Sequence, residues 1–188
     1  MNETKTISAL EHELRDRYGR AAWTHKTHEK DADRYHGYHV FLTWTKIVLS
    51  GLAAICCGSS PLLEKNASAW AAVIGGALFL VNLIFENRNY ESLSNAHRNT
   101  ATNLLQLREE LLSLISDLHM ENCNIDEISN RRKRLLQTWC NALKTAPRTS
   151  DKAYRQATKA LHDEELTFSD KEIDHILPPA FRIVEETP

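Results

Sequence analysis

Glycine, proline and cysteine are all scarce: six, five and four among 188 residues. With so few breakers and no β-branched runs, turns and strands have little to be built from. Leu, Ala, Glu, Lys and Arg are plentiful, so a mostly helical protein is expected. Cys56, Cys57, Cys123 and Cys140 form no CxxC pair and no framework of loops. That argues against a disulfide-stapled secreted domain and for reduced thiols in a chain whose bulk faces a cytosol. The formal net charge is only −2, so direct nucleic-acid binding is not expected. The opening MNETKTISALEHELRDRYGR is polar throughout and does not read as a secretory signal. No P-loop, dinucleotide fingerprint, GxSxG or HExxH is found. Carboxylates are interleaved with Lys and Arg, as on solvated helix faces. His119 and Cys123 have a helical metal-ligand spacing but lack further partners. No catalytic residue, cofactor or metal site is expected.

Against this polar background two stretches are apolar. Val40 to Leu63 carries one charge, Lys46, and Ala67 to Phe85 carries none. Each has about the 20 residues that a helix needs to cross a bilayer. Only Glu64, Lys65 and Asn66 connect them, which implies an antiparallel membrane hairpin. Lys5, Arg15, Arg17, Arg20, Lys26, Lys30 and Arg34 precede the first span, and Arg88, Arg98 and Arg108 follow the second. The connection offers Lys65 alone, so both termini are expected in the cytoplasm. Trp44 and Trp70 suit an interfacial belt. The competing reading is a hairpin buried in a soluble helical bundle.

Small residues recur at four-residue spacing: Ser50, Ala54 and Gly58 in the first span, and Ala67, Ala71, Gly75 with Ala72, Gly76 in the second. Such rows allow close helix packing in lipid, either of the hairpin on itself or between subunits of a homo-oligomer. Thr43, Thr45, Lys46 and Asn82 are the polar candidates for a pore lining, and Lys46 is near enough to the span's start to snorkel instead.

Ser8 and Glu11 have the form of a capping box, from which a helix can run unbroken into the first span. Leu10, Leu14, Tyr18, Ala21, His25, His28, Ala32, Tyr35 and His39 recur at a period of about 3.5, as in a packing seam. His36 is placed on the same side, giving a possible face of His25, His28, His36 and His39. That face is a pH-sensing or metal-binding candidate, or simply a polar-aromatic seam. The second span is expected to continue as one helix, because ENRNYESLSNAHRNTATNLLQLREELLSLISDL contains neither Gly nor Pro. Leu104, Leu107, Leu111, Leu114 and Leu118 form its heptad seam, with Leu93, His97 and Thr100 extending it upward. Leu105, Leu112 and Ile115 are spare apolar positions. Further helices are expected from Asn124 to about Thr145, from Asp151 to about Leu166, and after Ser169. Arg131-Arg132-Lys133-Arg134 is a basic cluster for lipid phosphates or a nucleotide, or a solvated face.

The charged first helix, the two spans with a tiny loop, and the following FENRNYESLSNAHRNTATNLLQLREEL resemble the SLATT domain family of two-transmembrane effectors. Tyr90, Ala96, His97 and Leu104 carry the resemblance together with the spans. It covers Ile7 to Leu118, and the C-terminal helices more loosely. It implies a bacterial inner-membrane protein of a nucleotide-signalling conflict system. A separate partner supplies the signal: a nucleotidyltransferase, a nucleotide-binding SLOG protein or a reverse transcriptase. The hairpins then open a pore or disrupt the membrane, and the infected cell stops before phage is released.

The expectation is therefore one all-α domain over residues 1–188. It comprises a cytoplasmic N-terminal helix over 1–39, spans over 40–63 and 67–85, a long cytoplasmic helix over 86–122, and C-terminal helices and tail over 123–188. Its expected role is a pore-forming or membrane-disrupting effector. The alternatives are a membrane-anchored scaffold that recruits a cytoplasmic partner and a soluble adaptor with the hairpin as core.

Overall fold

In a computed structural model the chain is all-α, with no strand among the described residues, which are 3–58, 67–120, 124–163 and 169–178. Helix α1 spans Glu3–Gly58, α2 Ala67–Arg88, α3 Tyr90–Leu118, α4 Ile125–Lys144, α5 Asp151–His162 and α6 Asp170–Ile176. At about 1.5 Å per residue, the 56 residues of α1 make a rod of about 84 Å. It runs without a break through Gly19, Gly37 and Gly51. Ser8 lies inside α1, five residues after its start, so it does not cap the helix as its sequence pattern suggests.

α1 and α2 form the hairpin, and both are long and apolar enough to cross a membrane. Among the described residues, nothing buries their most apolar stretches. Phe41, Trp44, Ile47, Ile55, Trp70, Val73 and Phe79 all point outward. A core hairpin would bury these side chains, so the soluble-adaptor reading fails. An apolar surface this continuous needs lipid or protein against it. The loop Glu64–Asn66 and the outer end of the first expected span lie outside the described residues.

The second span does not continue as one helix. Asn89 leaves helical geometry (φ 13°, ψ 61°), and its side chain accepts a hydrogen bond from the Ser92 backbone N–H, which starts α3 afresh. The absence of Gly and Pro was not sufficient for continuity, because a short amide side chain competes for backbone donors. α3 then runs antiparallel to α1 away from the hairpin. Leu104, Leu107, Leu111, Leu114 and Leu118 are all buried, against Leu10, Leu14 and Ala21 of α1 and Ile128 and Leu135 of α4. Each fully buried leucine contributes about 1.5–3 kcal/mol.

Asn124 caps α4, accepting from the N–H groups of Asp126 and Glu127, and Arg132 pairs with Glu13 of α1 while Arg131 pairs with Asp117 of α3. α5 packs on α1 and ends at His162, short of the expected Leu166, which lies outside the described residues. Ser169 and Glu172 form a reciprocal capping box at α6.

Candidate functional site

The interface between α1 and α3 changes character along its length. Its end far from the hairpin is leucine. Its end near the hairpin is polar and aromatic, with His28, Asp31, Ser94 and His97 buried and Tyr35 and Tyr90 half-buried. Side chains that evade water at one end of a helix pair and collect hydrogen bonds at the other mark where the bundle meets the membrane segment.

His28 of α1 and His97 of α3 are buried and face each other, Nδ1 to Nδ1, at 2.9 Å. One ring must donate and the other accept, so the two tautomers are linked. Burial holds the His28 imidazole at about 4; His97 adds to that effect and Asp31 opposes it. Burial also lowers His97, with Asp31 opposing and Arg34 assisting. Both rings are therefore neutral at neutral pH, and the buried Nε2 of His97 has no hydrogen-bond partner among the described residues. Around them Ser94 donates to the Ala32 carbonyl at 2.8 Å, and Thr27 and Thr100 bond back to their own helices.

One turn toward the membrane from His28, Asp31 is fully buried. Its carboxylate accepts from the Ser150 N–H and from the Ser150 hydroxyl, both at 2.8 Å. Arg34 completes the cluster, 2.9 Å from Asp31 and donating to the Ser150 hydroxyl at 2.7 Å. The Arg34 guanidinium also lies 4.7 Å over Tyr35. Tyr35 stacks on His97 at 5.4 Å and on Tyr90 at 6.1 Å. Below this, His39 meets Phe85 of α2 at 5.4 Å, and Lys46 Nζ sits 3.4 Å above the same ring.

The four histidines of the expected face are thus divided. His25 and His28 are buried, His39 is half-buried, and His36 is exposed. The helix turns its seam away from His36, so no four-membered face exists. His25 is held below its usual range by burial, against the pull of Glu29. Among the described residues no three His, Cys, Asp or Glu side chains converge as metal ligands.

The polar residues of the spans are mostly occupied. Thr43 and Thr45 donate to the carbonyls of His39 and Phe41, and Lys46 is turned onto Phe85, while Asn82 is exposed. Most of the described small residues do not pack the hairpin on itself. Ser50, Ala54, Ala72, Gly75 and Gly76 are exposed, Ala71 is half-buried, and a Cβ at Gly75 or Gly76 would touch nothing. The side-chain positions of Gly58 and Ala67 lie outside the description, as does Cys123. In the basic cluster Arg131 and Arg132 are paired, and Lys133 and Arg134 are exposed.

Sequence reasoning placed His28 and His97 on two seams expected to pair with each other but did not match these two residues, and it missed Asp31, Arg34 and Ser150. An Asp three residues after a seam histidine was the available signal. Ser150 could not be found that way, because 119 residues separate it from Asp31. A cavity of about 490 Å³ opens beside this cluster, lined by Arg15, Arg20, Trp23, Thr149 and Tyr154 among others.

No curated protein and no solved structure matches the chain. A family profile does: that of SMODS and SLOG-associating 2TM effector domain family 4, over residues 10–172.

Proposed function

This chain belongs to the SLATT family of two-transmembrane effector domains, and from that membership we propose that it acts by permeabilising a bacterial inner membrane as a homo-oligomer, with no enzymatic step of its own. Both termini lie in the cytoplasm. The trigger is a nucleotide-linked signal delivered by a separate partner of the SMODS or SLOG kind, and the outcome is growth arrest of an infected cell.

The observation that carries the reading is the outward face of the hairpin. Among the described residues a Cβ at Gly75 or Gly76 would meet no neighbour, and Ala72, Ser50 and Ala54 are exposed. In lipid, small residues with nothing against them are where another helix approaches most closely. A single hairpin encloses nothing, whereas several packed through these faces surround a path. Thr43 and Thr45 bond to their own helix and Lys46 lies over Phe85 of the second span, which fits a closed state that must rearrange to conduct.

The test is membrane potential, read with a potential-sensitive dye after induced expression of the full chain together with its neighbouring genes. Depolarisation that is lost in Gly76→Leu, with the variant still in the membrane fraction, is expected. An intact potential with wild-type protein in the membrane and the partner active would sink the proposal. It would favour a membrane-anchored scaffold instead, for which the outward Leu105 and Leu112 of α3 offer a surface.

A further inference from the structure

α5 is fastened to α1 by a clasp rather than by a core. Its buried residues are Ala153, Ala157 and Ala160, which remove little apolar surface from water. α3 and α4 instead contribute buried Leu and Ile side chains. What fixes α5 is polar and sits at its two ends. At its start, Asp31 and Arg34 grip Ser150 through the N–H and the hydroxyl. Toward its end, the Trp23 indole N–H donates to Thr158 at 3.1 Å, and the His162 ring meets Trp23 edge-on at 5.9 Å.

Ser150 does two jobs with one hydroxyl. It accepts from the Ala153 N–H, capping α5, while it donates to Asp31 and accepts from Arg34. Capping the helix and docking it are thereby one event. Without Ser150 the wholly buried Asp31 would lose two hydrogen bonds and keep Arg34 alone, and a buried carboxylate with its bonds unmet is unfavourable. A half-open clasp is therefore disfavoured: either Ser150 is seated, or α5 leaves and water reaches Asp31. Such an all-or-none contact is the usual element of a switch.

The geometry points to α5 as a latch, docked on α1 in the resting protein, whose release frees the aromatic stack at the base of the hairpin. The inference rests on the membrane-effector reading above and names its control. The link is Arg34, which closes the clasp and also covers Tyr35, and Tyr35 stacks on His97 and on Tyr90, the first residue of α3.

The test uses the full chain in phosphatidylethanolamine–phosphatidylglycerol vesicles loaded with a self-quenching dye. Amide hydrogen exchange and dye release are read on the same samples. The variants are Asp31→Asn, Ser150→Ala and Ser150→Thr. Asp31→Asn leaves the cap hydroxyl in place and so separates undocking from a lost cap. In Asp31→Asn and Ser150→Ala, amides of α5 are expected to exchange about tenfold faster or more. Those of Tyr35–His39 and Tyr90–His97 lose protection in step, while Leu104–Leu118 is unchanged. Ser150→Thr behaves as wild type. Unchanged exchange in α5, or loss of protection in α3 leucines along with it, overturns the latch. Faster exchange in α5 with no change at Tyr35–His39, Tyr90–His97 or in dye release also overturns it. Faster exchange at all three segments without dye release sustains the latch and overturns the permeabilising role. Dye release together with it sustains both.

Discussion

His28 and His97 meet Nδ1 to Nδ1 at 2.9 Å in the interior of the bundle, so two helices are joined through a hydrogen bond that exists only while at least one of those nitrogens is unprotonated. The rings have little room for charge. His25 lies on the same helix as His28, Asp31 draws protons toward the pair, and Arg34 repels them from His97.

That arrangement sets the sign of the pH dependence. The folded-state value of His28 is lowered from 6.5 to about 4, and those of His25 and His97 are lowered too. Between these limits the unfolded chain binds more protons than the folded one. Stability is therefore fully present above pH 6.5 and is lost as pH falls through about 4, by about 3 kcal/mol on His28 alone. Thermal unfolding of detergent-solubilised protein, followed by circular dichroism between pH 7.5 and 4, is expected to show the midpoint falling. His28→Gln flattens part of the fall. A midpoint that rises toward pH 4 would refute the assignment.

The leucine end of the seam is expected to carry the bundle. Leu114 is wholly buried, whereas Leu112, two residues earlier, is 44% exposed. Leu114→Ala should cost about 2–5 kcal/mol through lost burial and the cavity left behind. Leu112→Ala should change stability by no more than about 0.5 kcal/mol. Chemical denaturation of the two variants side by side decides this, and equal losses would mean that the outer face of α3 is covered.

At the base of the hairpin, Lys46 over Phe85 predicts a coupling between the spans. Phe85→Leu keeps an apolar side chain but removes the ring face, and Lys46→Met removes the charge. The double-mutant cycle should return about 1–2 kcal/mol of interaction for a cation over a ring in a poorly hydrated site. Additive losses would show that the ammonium spends its time in the headgroups instead.

The pair between Arg132 and Glu13 predicts a smaller effect, although it bridges α4 and α1. Burial raises the Glu13 value, but hydrogen bonds and charge from Arg17 and Arg132 outweigh it, so the carboxyl is held below its usual range. Both side chains remain about a third open to solvent, which limits the pair to about 0–1 kcal/mol. Arg132→Gln should lower the midpoint slightly at low salt and hardly at all in 1 M salt. A large, salt-independent loss would point to packing of the guanidinium stem.

Local pattern sufficed wherever one element's chemistry decided its place. The leucine heptads of α3, the uncharged second span and the caps at Asn124 and Ser169 were legible because each depends on neighbours within a few residues. Asn89 was misread because its effect depends on a hydrogen bond to Ser92 that competes with helix continuation, and composition does not show which wins. His36 was placed on the wrong side because a period of about 3.5 drifts over several turns and the seam had to choose between His36 and His39. The clasp at Asp31 was invisible, since its partner arrives from a helix far along the chain.

The two legs of the hairpin end differently where they leave the membrane. α1 is continuous from Glu3 to Gly58, whereas α2 stops at Arg88 and α3 begins at Tyr90. Among the described residues, Asn89 is thus the one break between a span and the helix bundle, and any rearrangement of α2 relative to α3 has its pivot there. The 22 residues of α2 span about 33 Å, so a turn of about 10° at that joint carries its far end sideways by about 6 Å. A turn of that size would change the spacing between the spans by about half a helix diameter while every leucine of the α1–α3 seam keeps its neighbours.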